Sequence, residues 1–281
     1  MNKIAMLAFA ILTVSGTSNL CRAETKVTLL ADEQNPRIAF AVQELKKALV
    51  SRDCTVDHAP LTRTISNGSG PYILLGTQKD KAMIDTMRNR DVVPFATLKP
   101  EGFSLRKVQG NSSEIYWVVG ADDAGVMYGG LELAEIVRCS GLAAVQSIDR
   151  NPYMQLRGIK FNCPLDERTP TYSNHDGDSQ QKNVLVMWDM DFWKAYIDDM
   201  ARFRYNYLSL WNLHPFPSMV RVPGYEKIAL DDVQSVTETL KMTMDEKIAF
   251  WRNVMRYARD RNVAVYVVTW NIFITGEDGI Y

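Results

Sequence analysis

The stretch Tyr207–Asn212 reads YLSLWN, a short apolar strand pattern that ends in a tryptophan and an asparagine. Two similar stretches, Gln155–Asn162 and Val263–Trp270, lie on either side of it and also run into polar or aromatic residues. Amphipathic helix patterns at about Met187–Phe203 and Met244–Arg261 separate the three strands. Strands that alternate with helices at this spacing predict parallel βα units.

Repeated βα units are typical of (β/α)₈ barrels of the TIM type, in which ligands bind at the carboxyl ends of the strands. A complete barrel takes about 250 residues, whereas more than half of this 281-residue chain precedes Gln155. We therefore expect an α/β fold in which residues 151–281 hold the first three βα units of an incomplete, truncated barrel.

The residues before this region predict a small α+β domain that extends from residue 24 to residue 150. We expect a mixed sheet with helices on one of its faces, and Gly110-Asn111 is a hairpin signal between two of its strands. The predicted strands are Thr25–Leu30, Tyr72–Gly76, Gly102–Val108 and Ile115–Gly120, and the predicted helices are Arg37–Arg52, Lys79–Arg88 and Asp122–Arg138.

Residues 1–23 predict an export signal. Lys3 supplies a positive charge, and Ile4–Val14 is an apolar stretch of signal-peptide length that is too short to span a bilayer. Small residues at the −3 and −1 positions favour cleavage after Ala23. A lipoprotein with Cys21 as the acylated residue is the alternative. We expect a periplasmic or secreted protein without a membrane span.

Charge and cysteine content narrow the classes of partner. Lys and Arg number 32 against 33 Asp and Glu, and no long basic run is present, so nucleic acid is not an expected partner. Beyond the export signal, Cys54, Cys139 and Cys163 lack the spacing of a metal site. A Cys54–Cys139 bridge is possible, but free thiols are favoured. We expect no metal and no cofactor.

The stretch Glu114–Arg138 (EIYWVVGADDAGVMYGGLELAEIVR) combines several features of one kind of domain. A strand ends in glycine, an acid-led turn follows, and a helix then contains Tyr-Gly-x-x-x-Leu, here Tyr128, Gly129 and Leu133. Further on, Asn151-Pro152-Tyr153-Met154 leads into the Leu-Arg-Gly sequence at residues 156–158.

In this order the features resemble bacterial glycoside hydrolases, in which an N-terminal domain of the family 20 type (β-hexosaminidases), or the similar domain of α-glucuronidases, precedes the barrel. The resemblance covers about Lys26 to Tyr281. It implies an enzyme that acts on O-glycosidic bonds of an oligosaccharide or polysaccharide. It also implies catalytic carboxylates from the fourth barrel strand onward, beyond the C-terminus of this chain. No catalytic residue is therefore assigned, and the chain alone is expected to be inactive.

The resemblance also implies that Arg157, in the Leu-Arg-Gly sequence, binds sugar hydroxyls. Position supports this interpretation, because the arginine lies in the first predicted barrel strand. An ion pair in the barrel floor, with an acid such as Asp166, is the alternative.

Four further residues are candidates for substrate binding, because sugar sites combine hydrogen-bonding groups with aromatic platforms. Asn212 and His214 follow the second barrel strand and have the spacing of side chains on one face. Trp270 and Asn271 end the third strand. The alternatives are that Asn212 caps the next turn, that His214 is a surface histidine and that Trp270 is a buried core tryptophan.

Two classes of function follow from these residues. The first is an exported glycoside hydrolase, and the second is a non-catalytic carbohydrate-binding protein that keeps a sugar cleft without an acid pair. Turnover of a glycoside would distinguish the two, because glycoside hydrolysis normally requires two carboxyl groups beside the bond.

Overall fold

The computed structural model describes residues 25–65, 70–90, 92, 97–110, 113–169 and 182–269. These residues form two sheets that follow one another along the chain, with a short hairpin inserted into the second. The predicted export signal lies outside the described residues. The boundary predicted after residue 150 stays a prediction, although the last strand of the first sheet ends there.

The first sheet consists of β1 (Thr25–Leu30), β2 (Cys54–Ala59), β3 (Tyr72–Thr77), β4 (Phe103–Gln109), β5 (Glu114–Gly120) and β6 (Ile148–Arg150). Its helices are α1 (Pro36–Val50), α2 (Lys81–Arg88) and α3 (Asp123–Ser140). The strand order is β2-β1-β3-β5-β4-β6. β1, β2, β3 and β5 run parallel, and β4 is antiparallel to β5 and β6. The predicted mixed α+β sheet is confirmed.

Helices cover both faces of this sheet, which corrects the expectation of one covered face. Leu29 packs in the core beneath α1 and α3, whereas its neighbour Leu30 packs on the other side with Met83 of α2 and with Trp117. Successive residues of a strand point to opposite faces. A strand that is apolar throughout, such as Tyr72–Thr77, therefore needs cover on both sides.

β2 and β6 are two strands that the sequence did not predict. β2 reads CTVDHA, is mostly half-buried and lies at the edge of the sheet. Its polar residues hide the strand signal, because an edge strand is paired on one side only. A turn with Asp53 at a φ of 59° connects α1 to it.

The second sheet contains the predicted parallel βα units. Its strands are β7 (Gly158–Asn162), β8 (Tyr207–Trp211) and β11 (Ala264–Val268), in the order β11-β8-β7. The intervening elements are α4 (Met190–Arg202), α5 (Phe216–Met219), the hairpin β9 (Asp232–Gln234) and β10 (Thr239–Lys241), and α6 (Met244–Arg259). Among the described residues this sheet is open, and its closure into a barrel stays a prediction.

The helices α4 and α6 pack on one face of the second sheet. Trp193 of α4 and Trp251 of α6 are buried, and their ring centroids lie 5.4 Å apart in an edge-on arrangement. Leu208 and Leu210 of β8 belong to the same core. Thr243 and Glu246 form a reciprocal capping box that begins α6.

Cys54, Cys139 and Cys163 form no disulfide among the described residues, so the bridge considered between Cys54 and Cys139 is not formed. Cys163 is buried among apolar side chains, and this burial raises the pKa of its thiol. In the part of the chain that the structure describes, no helix is both long enough and apolar enough to cross a membrane.

Candidate functional site

One face of the second sheet carries polar and aromatic side chains, and none of the helices that the structure describes packs on it. Because Leu208 and Leu210 point into the helix-covered core, Ser209 and Trp211 point to the opposite, inner face. The register places Lys160 beside Ser209, and Asn162 beside Trp211. The same register aligns Tyr266 with Ser209. This set, Lys160, Asn162, Ser209, Trp211 and Tyr266, is named the inner-face site.

The inner-face site combines one cation with aromatic rings. The Lys160 ammonium lies 5.3 Å from the centroid of the Trp211 ring, and it also approaches Asn162 Oδ1 at 3.4 Å. Nearer the amino ends of the strands, the ring centroids of Tyr207 and Tyr266 lie 4.6 Å apart. Hydrogen-bonding groups beside aromatic surfaces are suited to a ligand that has both hydroxyls and apolar C–H faces. The sequence reasoning missed Lys160, although the alternation of β7 pointed to it.

Asn212 lies at the carboxyl end of β8, where it fixes the local backbone. Its side-chain amide donates to the Cys163 carbonyl at 2.6 Å, and its Oδ1 accepts the His214 amide at 2.8 Å. The residue is 1% exposed. These contacts correspond to the turn-cap alternative. Substrate binding by Asn212 stays a prediction.

His214 lies two residues further along, before Pro215, and is half-buried. Burial lowers the pKa of its imidazole, so the ring is held neutral at neutral pH. A neutral imidazole can both donate and accept a hydrogen bond. His214 therefore remains a candidate ligand contact near the carboxyl edge of the sheet.

Arg157 lies at the opposite, amino end of the sheet. Its Nη2 pairs with Glu101 Oε2 at 2.5 Å, its Nε donates to the Arg204 carbonyl at 2.8 Å, and its Nη1 donates to the Met154 carbonyl at 2.6 Å. The structure therefore does not bring Arg157 together with Asn212. The ion-pair alternative fits these contacts, although its acid is Glu101 and not Asp166.

Glu101 joins the first sheet to all three strands of the second. It accepts from Arg157, which precedes β7, from Asn206 at 2.9 Å, which precedes β8, and from Asn262 at 2.6 Å, which lies just before β11. Asn262 also donates to the Tyr128 hydroxyl at 3.2 Å. These residues are named the Glu101 cluster. Sequence reasoning missed it, since its members are far apart in the chain.

Asp166 is the buried carboxylate closest in sequence to the carboxyl end of β7. The Arg168 guanidinium donates to both oxygens of Asp166 at 2.8 Å, and the backbone amide of Gln234 donates to Asp166 Oδ2 at 3.0 Å. The bonds to Asp166 raise the pKa of the Arg168 guanidinium, while burial opposes this. Asp166 is 1% exposed. It is therefore suited to hold the loop after β7.

Two predicted site residues, Trp270 and Asn271, lie outside the described residues. Among the residues that the structure does describe, no group of His, Cys, Asp and Glu side chains could hold a metal ion.

Residues 7–133 match the family model described as the N-terminus of glycosyl hydrolase family 67. The predicted resemblance to a glycoside hydrolase with an N-terminal domain is thereby confirmed. The matched range ends within α3 and so covers most of the first sheet and its helices. No curated protein matches the chain.

The chain is similar to solved structures of glycoside hydrolases. One is a GH138 enzyme targeting pectin rhamnogalacturonan II, with a TM-score of 0.60, 24% identity and coverage of 89% of this chain. Another is a glycoside hydrolase family 20 β-N-acetylglucosaminidase, with a TM-score of 0.44, 18% identity and coverage of 82% of this chain. The chain spans 25% of the length of the first and 36% of the second.

Proposed function

We propose that this chain is part of an exported glycoside hydrolase that acts on O-glycosidic bonds of an oligosaccharide or polysaccharide. The activity would be β-hexosaminidase-like or α-glucuronidase-like. The observation that carries the proposal is the match of residues 7–133 to a glycosyl hydrolase N-terminal domain. The parallel βα units that follow it support the proposal, since enzymes of that architecture bind ligands on the strands' carboxyl side.

In this proposal the inner-face site forms part of the sugar cleft. Tyr266, which is 48% exposed, offers a ring face for a pyranose, while Lys160 and Asn162 offer hydrogen bonds to hydroxyls. Arg157 has a different role, because its guanidinium is already engaged by Glu101 and two backbone carbonyls.

The acid pair for hydrolysis would come from outside the inner-face site. The inner-facing positions of the three described strands carry no carboxylate. Asp166 is committed to Arg168 and to the Gln234 amide. Glycoside hydrolysis needs an acid that protonates the leaving group, usually with a second carboxylate. We therefore expect the 281-residue chain to bind sugar without turnover.

Assays with chromogenic glycosides test this proposal. We expect no hydrolysis of N-acetylhexosaminides or uronides by the 281-residue chain, together with quenching of tryptophan fluorescence by oligosaccharides. An extended reading frame, where one is present in the genome, is expected to hydrolyse one of these substrates. Hydrolysis by the 281-residue chain itself would contradict the assignment of Asp166 as structural.

A non-catalytic carbohydrate-binding protein is the second candidate. The engaged state of Asp166 favours it, because this buried carboxylate near the carboxyl end of β7 is already held by Arg168 and by the Gln234 backbone amide. Sugar binding without turnover, in the short chain and in any extended chain, would decide for this candidate.

Export is proposed from the sequence of residues 1–23 alone. A periplasmic or secreted protein processed at the predicted site would begin at Glu24, and a lipoprotein would begin at an acylated Cys21. Intact mass of the protein recovered from the native host distinguishes these forms, and an unprocessed Met1 would contradict export.

A further inference from the structure

A polar groove follows α3 and β6 at the junction of the two sheets. Two cavities, of about 370 and 440 Å³, adjoin there and share Glu132 and Arg150 in their walls. Arg157 lines the first cavity, so the groove lies toward the amino ends of the second sheet's strands, away from Asn212 and His214. We name it the junction groove.

The charges along the junction groove balance. Glu132 pairs with Arg204, and Glu101 pairs with Arg157. Arg150 and Glu135 remain, and neither has a salt-bridge partner among the residues that the structure describes. One free cation and one free carboxylate leave the groove close to neutral, with hydrogen-bonding capacity for uncharged hydroxyl groups.

Further polar groups continue the groove beyond Arg150. The exposed side chains of Ser140 and Gln146 line the second cavity together with Glu135. A hydroxyl, an amide and a carboxylate supply both donors and acceptors. The groove is therefore long and polar, not a compact apolar pocket.

Phe203 adds an aromatic surface to the wall of the first cavity. The residue is 74% exposed, yet its backbone is fixed. Its amide donates to the Asp199 carbonyl at 2.9 Å, and the next residue, Arg204, holds a φ of 62° and binds Glu132. A ring held on a fixed turn beside polar groups is suited to pack against the apolar face of a ligand.

We propose that the junction groove binds a segment of a neutral oligosaccharide, separate from the inner-face site. The ring of Phe203 packs against the C–H face of one sugar, and Arg150, Glu135 and Gln146 bind the hydroxyls of the next. This inference rests on the proposed function, because it takes a carbohydrate as the ligand of the protein. A polysaccharide held there would keep the protein on its substrate between encounters with the cleft.

A neutral polysaccharide fits the groove better than a charged chain or a protein surface. A charged polysaccharide would place its charges against a like charge, either Arg150 or Glu135. The walls of the groove also combine hydrogen-bond donors with acceptors along a concave path. A protein partner would be expected to cover a wide apolar patch. A protein bound in the groove is therefore one of the outcomes of the test.

Affinity electrophoresis of the full chain in native gels tests the proposal, with xylan, galactan or glucomannan in the gel. We expect at least one of them to retard the chain. Phe203→Ser and Arg150→Ala should each weaken that retardation about fivefold, as expected when one stacking or charged contact is lost. Both side chains are exposed, so the variants should keep the circular dichroism and melting curve of the parent chain.

Tyr225→Ser is the matched control, because Tyr225 is 67% exposed and lies outside the groove. Retardation that is equal in the parent, Phe203→Ser and Arg150→Ala chains would overturn the inference, as would a changed self-association of these variants in gel filtration. If Asn162→Ala alone abolishes retardation, the groove inference fails while the proposed function stands. If none of the polysaccharides retards the parent chain, the groove inference fails, whereas the proposed function is decided by the glycoside assays.

Discussion

Glu101 is the residue on which the junction of the two sheets depends most. Its carboxylate serves three donors, and its backbone is held at a φ of 65°, a region that non-glycine residues adopt only when their contacts favour it. The side chains of Glu101 and Arg157 are 17% and 16% exposed. An ion pair so shielded from water is weakened less by salt than a surface pair.

Glu101→Gln is expected to lower the free energy of unfolding by about 2–3 kcal/mol, the range for loss of a hydrogen-bonded charged partner. The amide would present its own donors to Arg157 or Asn262 and leave one of them unpaired. Urea unfolding followed by tryptophan fluorescence measures the change. Glu238→Gln is the control, because Glu238 is exposed in the turn of the β9–β10 hairpin. Equal stabilities of the two variants would show that Glu101 is not a structural centre.

At the scale of elements, α1 and α4 are joined by a buried carboxylate. Glu44 of α1 is 4% exposed and accepts from Arg202 of α4 at 3.0 Å and from Lys47 at 2.9 Å. Burial acts to raise the pKa of Glu44, but the bonds to Arg202 and Lys47 outweigh it and hold the pKa below its ordinary value. The contact between the helices therefore depends on an ionised Glu44.

The stability that Glu44 contributes is expected to vary with pH. Since its pKa is lower in the folded chain, the contribution is complete above the unfolded value of about 4.3 and is lost as pH falls through the folded pKa. Glu44→Gln should cost about 1–3 kcal/mol near pH 7, and the difference from the parent should vanish in more acidic buffer. Asp199→Asn removes an exposed partner of the same Arg202 and should cost less than about 1 kcal/mol. A difference that is independent of pH would contradict this role.

Periodicity was sufficient to predict most elements, because helix and strand patterns are local. The helix predicted at Met244–Arg261 is observed at Met244–Arg259, and the strand predicted at Tyr207–Asn212 ends one residue earlier. The edge strand Cys54–Ala59 was missed, since its exposed polar residues resemble a loop. The helix α2 lies where it was predicted in the chain, but the sheet face that it covers was wrong, because an apolar strand does not show which helix covers which face.

At the scale of the whole molecule, the second sheet has an uncovered margin. Among the described strands, β11 pairs with β8 alone. Its residues Tyr266, Val267 and Val268 are 48%, 38% and 40% exposed. An unpaired strand edge with exposed apolar side chains is a site for association.

The chain from Glu24 to Tyr281 is therefore expected to self-associate at micromolar concentration. Val267→Lys places a charge on the exposed strand and should shift the sedimentation profile toward monomer. Val50→Lys is the matched control, since Val50 is 61% exposed at the end of α1, a helix of the first sheet. A monodisperse parent chain with one cooperative melt would contradict the expectation.

The candidate site was less predictable than the fold. Strand alternation was used to place Asn212 and His214 on one face, yet Lys160 was overlooked and Asn212 lies in the helix-side alternation of β8. Arg157 shows the reason. Its partner Glu101 is 56 residues away in the chain, so no local pattern indicates that its guanidinium is already engaged.

The Glu101 cluster also has a consequence for the order in which the chain folds during its synthesis. The carboxylate is synthesised first, and its donors Arg157, Asn206 and Asn262 emerge one after another, each just before its own strand. Domains generally fold from the N-terminus during synthesis. The first sheet, once folded, can therefore receive each new strand as it leaves the ribosome. A graft of the later strands onto a foreign N-terminal segment would need a residue equivalent to Glu101.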